Sequence, residues 1–431
     1  MKFIRHLLSN IINLPVYISR KIISDENKDS FLKNNKKIIL QGLTALLICV
    51  VGDLFAGIIL TNMTDYLKNF PGLIVLIPGA IGMRGNIYGA LASRLGTNLH
   101  IGTLSSKLKK SDILSQNIQS SIILSLLLSL LLGILAKITC VLLNFDSISL
   151  VDFILISGFS ALISSLILLP ATIIIPIKSF QNGWDPDNIT IPIITALGDL
   201  FTLPSMIISV YLILFIHNPY LKTLIAILLI LFTLIYFYFA YKSDSNIKKI
   251  LKQNTPVLFL SSLMGISAGQ VLNNSMAILL KNQEILSLIP LFSGGTGGLL
   301  SILSGRLTSA IHSGIIEPCY KLSEELLKNF KIILILSIIL YPLIGILVES
   351  NLYLFASSQA YHLIVVLISI ISGLILIPIL MFIVLNISIF SYNHGLDPDN
   401  IDVPIETSIT DFLSNIMLIV VSLLFIRINF L

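Results

Sequence analysis

Charged residues are scarce in this sequence of 431 residues. Asp, Glu, Lys and Arg together make up 11% of it, against about 25% in soluble globular domains, whereas hydrophobic residues make up 55%. Such a shortage of charge excludes a soluble domain and indicates an integral membrane protein. We assign the net charge of +5 to loops at the membrane surface, and we expect lipid rather than nucleic acid as the partner.

Cysteine is also rare. The three cysteines, Cys49, Cys140 and Cys319, are far apart and lie in or beside apolar segments. This spacing excludes a disulfide framework and a CxxC metal site. We interpret them as small core residues and expect no cofactor.

The N-terminus lacks the uninterrupted apolar core of a signal peptide. Its basic stretch, MKFIRHLLSNIINLPVYISRK, is broken by Asn10, Asn13 and Pro15. We therefore interpret residues 1–40 as a cytoplasmic basic and amphipathic segment that lies at the membrane interface.

Long apolar runs, in contrast, occur throughout the chain. A hydrocarbon core of ~30 Å is crossed by about 20 apolar residues in a helix, and a helix satisfies its own backbone in lipid. The sequence therefore predicts an all-α polytopic membrane protein with about eleven transmembrane helices. These spans are predicted at about residues 39–61, 72–104, 114–143, 153–177, 190–216, 221–241, 257–280, 290–315, 332–350, 362–390 and 404–426.

Lys and Arg are distributed unevenly over the predicted loops. Nineteen of them fall on the side of the N-terminus and four on the other side. Because cytoplasmic loops carry the excess of positive charge, we expect a multi-pass protein of the cell membrane with its N-terminus cytoplasmic and its C-terminus external.

The chain contains an internal repeat. The stretch LIPGAIGMRGNIYGALASRLGTNLHIG from Leu76 returns as LIPLFSGGTGGLLSILSGRLTSAIHSG from Leu288, and GWDPDNITIPIITALGD from Gly183 returns as GLDPDNIDVPIETSITD from Gly395. Both pairs have the same offset of 212 residues. One offset held without a gap over this length indicates a duplication.

Each repeat contains five spans, and the sixth span has no counterpart. This extra helix returns the chain to the first side of the membrane, so both repeats have the same orientation, related by a pseudo-twofold axis along the membrane normal. An obligate homodimer is then not needed. We predict repeat 1 at residues 41–217, a linker helix and cytoplasmic loop at 218–254, and repeat 2 at 255–431.

Asp199 and Asp411 are matched acids inside apolar spans. A carboxylate near the bilayer midplane costs about 2.5–3.5 kcal/mol on insertion scales, so a cation should offset it. Two carboxylates at one depth balance one divalent cation, and oxygen-only ligation with retained water suits Mg²⁺. Thr195 and Thr407 lie one turn earlier, where a hydroxyl or carbonyl can bond the hydration shell.

Basic residues inside the spans offer an alternative for these acids. Each Asp could form an ion pair with an intramembrane arginine, such as Arg94 or Arg306. Asp53, in the first span, has no acidic counterpart in repeat 2, and it could bind a coupling ion or pair with Arg84.

The two DPDN stretches have two interpretations that are compatible. As helix starts they cap the fifth span of each repeat. As a ring of acids at the cytoplasmic mouth they raise the local concentration of cations. The residues concerned are Asp185, Asp187, Asn188, Asp397, Asp399 and Asn400.

Together these motifs resemble the membrane domain of MgtE-type magnesium transporters, duplicated in one chain as in the solute carrier family 41 branch. The resemblance covers nearly everything after residue 40. It implies a Mg²⁺ pathway along the pseudo-dimer axis, with Asp199 and Asp411 as central ligands and Asn86 in the place of the family's second-span Asn. The second repeat reads SGGTGGLL and lacks that Asn, so its role is one-sided.

The sequence therefore predicts transmembrane transport of a divalent cation, Mg²⁺ above all, and not an enzyme. Passive conduction and exchange coupled to Na⁺ or H⁺ both remain open. An intramembrane aspartyl protease is the alternative from another class, because ALGD resembles the signature of such enzymes. The symmetric recurrence of the second acid within SITD argues for a pore instead, and a receptor or scaffold would leave the repeated acids unexplained.

Overall fold

The computed structural model describes residues 28–105, 111–183, 186–243, 245–355, 363–396 and 398–427. All regular structure in these ranges is α-helical. The first repeat and the linker form α1 Lys28–Asn62, α2 Thr64–Asn69, α3 Leu73–Ile101, α4 Asp112–Leu142, α5 Leu150–Gln181, α6 Pro186–Phe215 and α7 Pro219–Ser243.

The second repeat forms the same succession of helices. They are α8 Ser245–Asn274, α9 Met276–Lys281, α10 Gln283–His312, α11 Glu324–Phe355, α12 Leu363–Asn393 and α13 Pro398–Arg427. The short helices α2 and α9, and likewise α6 and α13, begin and end at positions separated by the 212-residue offset. The duplicated architecture predicted from the sequence is confirmed.

Eleven helices of the described ranges are long and apolar enough to cross a membrane, which confirms the predicted number. Two of them begin more than ten residues before the predicted span. Helix α1 starts at Lys28 and α8 at Ser245, because the polar residues that precede each apolar run continue the same helix. The described end of the N-terminal segment is therefore continuous with the first span, and residues 1–27 lie outside the described part of the chain.

The two repeats interlock through their first helices. Helix α1 packs on α6 of its own repeat and on α10 of the other, and α8 packs on α13 and on α3 in the matching way. Two matched glycines allow these crossings: a methyl group on Gly57 would lie 2.5 Å from the carbonyl oxygen of Ser287, and one on Gly269 would clash with that of Val75. Small residues thus bring the helix backbones of the two repeats into contact.

The linker helix α7 lies at the periphery. It packs against α4, α5 and α8, and Lys222 at its start bonds Asp152 of α5 at 3.0 Å. Most of its large apolar side chains are exposed, among them Phe232, Tyr238 and Phe239. Such a surface suits lipid, so α7 connects the repeats without entering the interface between them.

Candidate ion-binding site

At the centre of the interface between the repeats, an aspartate of each repeat lies against a glycine of the other. A methyl group on Gly82 of α3 would lie 2.8 Å from Oδ2 of Asp411 on α13. A methyl group on Gly294 of α10 would lie 2.9 Å from Oδ2 of Asp199 on α6. Both the glycines and the aspartates are matched by the offset, so these two contacts are one contact repeated by the pseudo-twofold axis.

A third acid, Asp53 of α1, joins this pair from one side only. Its Oδ2 lies so close to Gly294 that a methyl group there would clash with it, which places the carboxylates of Asp53 and Asp199 side by side. The charge of Asp53 interacts with those of Asp199 and Asp411. Since the matched position in repeat 2 is Gly265, the central site carries three acids rather than an even number.

Burial makes this cluster electrostatically costly. Asp53 is fully buried, Asp199 is 5% exposed and Asp411 is partly exposed. Neither oxygen of Asp53 accepts a hydrogen bond from a described residue, whereas Oδ1 of Asp411 accepts one from Ser293 at 2.6 Å. Neighbouring buried carboxyl groups with so few donors need a proton or a positive charge from a basic side chain or a bound cation.

No basic side chain supplies that charge within the described ranges. Arg84 directs Nε to Ser164 at 3.0 Å and Nη1 to Ser129 at 2.9 Å, because its side chain leaves α3 towards α4 and α5. The ion pair between Asp53 and Arg84, which the sequence left open, does not form, and that alternative is wrong.

The other two intramembrane arginines are likewise directed away from the centre. Arg94 donates Nε to Asn117 at 2.8 Å, and Arg306 makes the matched bond to Asn329 at 2.7 Å. The ion pairs found in the described ranges include neither Asp199 nor Asp411. The predicted alternative in which an arginine neutralises each central aspartate is also wrong, since α4 and α11 supply amides that hold these arginines.

Asn86 lies at the interface between the repeats, but its amide is engaged by the protein. Its Oδ1 accepts a hydrogen bond from the hydroxyl of Thr407, and its Nδ2 donates to Oγ of Ser408 at 2.9 Å. The hydroxyl of Thr407 also bonds the carbonyl of Val403 at 2.8 Å. Asn86 therefore links α3 of one repeat to α13 of the other, one turn before Asp411.

Thr195, the counterpart of Thr407, is placed differently. A methyl group on Gly85 would lie 3.1 Å from Cγ2 of Thr195, so this threonine presents its methyl group to α3. The structure thus brings Thr407 and Asn86 together but leaves Thr195 in another environment. The roles of all three as metal ligands stay predictions.

The predicted cytoplasmic mouth falls largely beyond the described side chains. Asp185 and Asp397 lie outside the described residues. The other four belong to the first turns of α6 and α13, where the backbone is described and the side chains are not: Asp187, Asn188, Asp399 and Asn400. The acidic ring stays a prediction.

The central acids do not form a closed metal cage. Within the described ranges no three His, Cys, Asp or Glu side chains are grouped so that they could coordinate one metal directly. Each central aspartate instead borders a glycine of the other repeat, which has no side chain to coordinate a metal. Such an arrangement suits an ion that keeps part of its water shell, as Mg²⁺ does.

Two acids of α13 were missed by the sequence-based selection. Asp402 and Glu406 are 1% and 3% exposed, and they lie on a face of α13 other than that of Asp411. The signal is present in DVPIETSITD, since an acid inside an apolar span is a functional candidate by itself. Repeat 1 has Thr190 and Ile194 at these positions, so the duplication does not mark these two acids.

Comparison with protein families gives a match over both repeats. The profile of the MgtE family, described as divalent cation transporter, matches residues 77–209 and 289–421. These two segments are separated by the offset of the motifs and together cover more than half of the chain. The resemblance predicted from the motifs is confirmed.

Curated proteins similar to this chain are solute carriers. Solute carrier family 41 member 3 of Rattus norvegicus is 25% identical over 405 residues, which cover 86% of this chain and 84% of that protein. Solute carrier family 41 member 2 is 23% identical over 432 residues in Xenopus laevis (92% of this chain, 74% of that protein) and 24% identical over 436 residues in Homo sapiens (92% and 73%). No solved structure gives a significant match.

Proposed function

Since this chain belongs to the MgtE family of divalent cation transporters, we propose that it carries Mg²⁺ across the membrane along the interface between its two repeats. The family is described as one of transporters, which argues against the protease alternative. The observation that carries the proposal is the cluster of Asp53, Asp199 and Asp411 at that interface, which has no basic partner among the described residues.

The ion would lie between the matched aspartates. Asp199 and Asp411 approach the axis from opposite repeats, each against a glycine whose missing side chain leaves space for the carboxylate. Charge attraction across water suits a hydrated Mg²⁺, whose shell is costly to remove. Asp53 adds a third negative charge beside Asp199, so the ion would be held more strongly on that side.

The remaining parts of the pathway follow from the same arrangement. The DPDN stretches would gather cations at a cytoplasmic mouth, and Asn86 with Thr407 would hold α3 against α13 next to the ion. One chain contains both halves of the pathway, so a second copy is not required. We keep the predicted orientation, with a cytoplasmic N-terminus and an external C-terminus.

Flux of Mg²⁺ into proteoliposomes tests the proposal. Wild type should take up Mg²⁺, and Asp199→Asn and Asp411→Asn should each lose most of that uptake, since each removes one of the two charges on the axis. Asp65→Asn is the control, because Asp65 forms only an exposed pair with Lys68 outside the long helices. Normal uptake in both central variants would refute the site.

The same preparation separates a channel from an exchanger. Uptake is measured with an imposed Na⁺ gradient, with an imposed pH gradient and with neither, at a fixed membrane potential. Uptake that needs neither gradient indicates conduction, whereas dependence on one of them identifies coupled exchange. Absence of Mg²⁺ uptake under all three conditions would refute the function itself.

A further inference from the structure

Repeat 2 contains a second buried acidic pair, away from the central site. Asp402 and Glu406 are one turn apart on α13, on the face that packs against α10 and α12. Asp402 accepts hydrogen bonds from the hydroxyl of Ser391 on α12 and, at 3.5 Å, from that of Thr308 on α10. Three helices thus direct oxygen atoms to this point.

Glu406 differs from Asp402 in its hydrogen bonds. Both of its carboxylate oxygens are buried, and neither accepts a hydrogen bond from the part of the chain that the structure describes. Ser304 of α10 lies close enough to interact with it, but without the geometry of a hydrogen bond. The charge of Glu406 is also opposed by that of Asp402. A buried carboxyl group with neither donor nor basic partner must either take up a proton or have a cation beside it.

The fold does not need acids at these positions. In repeat 1 the matched residues are Thr190 and Ile194, and Ile194 packs in an apolar cluster with Tyr88, Leu91 and Leu168. Two of the hydroxyls are one-sided too, because Ser304 and Thr308 correspond to Ala92 and Gly96, whereas Ser391 is matched by Ser179. Of the positions of Asp402, Glu406, Ser304 and Thr308, three lack a polar side chain in repeat 1 and the fourth is a threonine. The added polarity and charge in repeat 2 favour a ligand over a packing requirement.

We propose that Asp402 and Glu406, with the hydroxyls of Ser304, Thr308 and Ser391, bind a dehydrated monovalent metal cation of the size of Na⁺. All the ligands offered are oxygens, as such a cation requires. A proton would bind to one carboxylate and would not need several hydroxyl groups around it. Mg²⁺ keeps several waters, whereas hydroxyl oxygens of two other helices already approach this pair.

This pair is connected to the proposed Mg²⁺ site, and in that respect the inference rests on the proposed function. Thr407 follows Glu406 directly and donates its hydroxyl to Asn86 of the other repeat. A cation bound to Glu406 would therefore lie next to Thr407, the residue whose hydrogen bond joins α13 to α3. We expect its occupancy to change Mg²⁺ uptake.

Binding is tested without Mg²⁺ on the purified chain. The melting temperature in detergent is measured in NaCl, KCl and choline chloride at equal ionic strength, and again over a range of pH in choline chloride. A bound cation stabilises the folded state, so wild type should melt higher in NaCl than in choline chloride. Glu406→Gln, which keeps the shape and removes the charge, should lose this difference.

Two further variants make the result decisive. The double variant Asp402→Thr with Glu406→Ile installs the residues of repeat 1 and should also lose the effect of Na⁺, even if Glu406→Gln folds poorly. Asp411→Asn removes a central charge and should keep the effect, which separates failure of this inference from failure of the Mg²⁺ site. In Mg²⁺ uptake, Glu406→Gln should lose any dependence on Na⁺.

Three results would overturn the inference. In the first, NaCl and choline chloride give the same melting temperature for wild type. In the second, Glu406→Gln retains the full effect of Na⁺. In the third, pH alone shifts the stability through Glu406 and Na⁺ has no effect, which would assign a proton to the pair instead.

Discussion

The two repeats share one backbone plan, but they use one matched face differently. Between α3, α5 and α6 this face is apolar around Ile194, whereas between α10, α12 and α13 it holds Asp402 and Glu406. At the central interface the repeats agree, because Gly82 borders Asp411 as Gly294 borders Asp199. The matched glycines and aspartates therefore indicate a function that both repeats share. The unmatched pair Asp402 and Glu406 indicates a function of repeat 2 alone.

The largest effect is expected from a methyl group at the central glycines. Gly294→Ala places its Cβ against Asp53 and Asp199, and Gly82→Ala places it against Asp411 alone. We expect both to reduce Mg²⁺ uptake, Gly294→Ala by more than about tenfold, or about 1.4 kcal/mol, because it displaces two carboxylates. Proteoliposome flux measures this.

Gly297→Ala is the matched control for that comparison. It lies one turn further along α10, and a methyl group there meets nothing within 4 Å. Its uptake should equal that of wild type, and all three variants should elute as folded protein in size-exclusion chromatography. Equal uptake by Gly294→Ala and Gly297→Ala would contradict the placement of the acids.

The one-sided acid Asp53 should have a smaller effect. Asp53→Asn removes one of three charges and leaves the matched pair, so we expect the Mg²⁺ concentration for half-maximal uptake to rise by about threefold to tenfold, or roughly 0.7–1.4 kcal/mol. A loss as complete as that of Asp199→Asn would mean that three acids act as a unit.

Stability provides a third comparison between the repeats. Glu406→Ile gives repeat 2 the residue of repeat 1 and removes a buried charge, so in the absence of Na⁺ it should raise the free energy of unfolding, by about 1–4 kcal/mol if the replacement packs well. Thermal melting in choline chloride measures the change. A lower melting temperature for this variant would show that Glu406 stabilises the apo fold.

The smallest effect on transport is expected at Arg84. Arg84→Met removes two hydrogen bonds worth about 1 kcal/mol each, while Ser129 and Ser164 keep bonds to the carbonyls of Ser125 and Ser160. Melting should fall slightly and Mg²⁺ uptake should stay unchanged. A large fall in uptake would mean that the charge of Arg84 acts on the central acids.

Residue patterns predicted some partners and not others. The duplicated offset placed Asp199 and Asp411 at equal depth, and the structure brings them to one interface as matched contacts. The sequence leaves the partner of Asp53 open, and the structure directs Arg84 to serines instead. The direction of each side chain around its helix depends on neighbours far away in sequence. Asn86 was placed with Mg²⁺ by resemblance, and its bond to Thr407 was not foreseen.

The sequence by itself determined the membrane class, the eleven spans and the duplication, since hydrophobic length and an exact offset are linear properties of a chain. It also identified the matched central acids, because a charge inside an apolar run stands out without a fold. Only the tertiary structure decided that Asp53 joins them, that the arginines turn away to serines and amides, and that Asp402 and Glu406 share a buried point with hydroxyls of two other helices. Those arrangements depend on how helices cross and rotate, and close packing across the two repeats sets both.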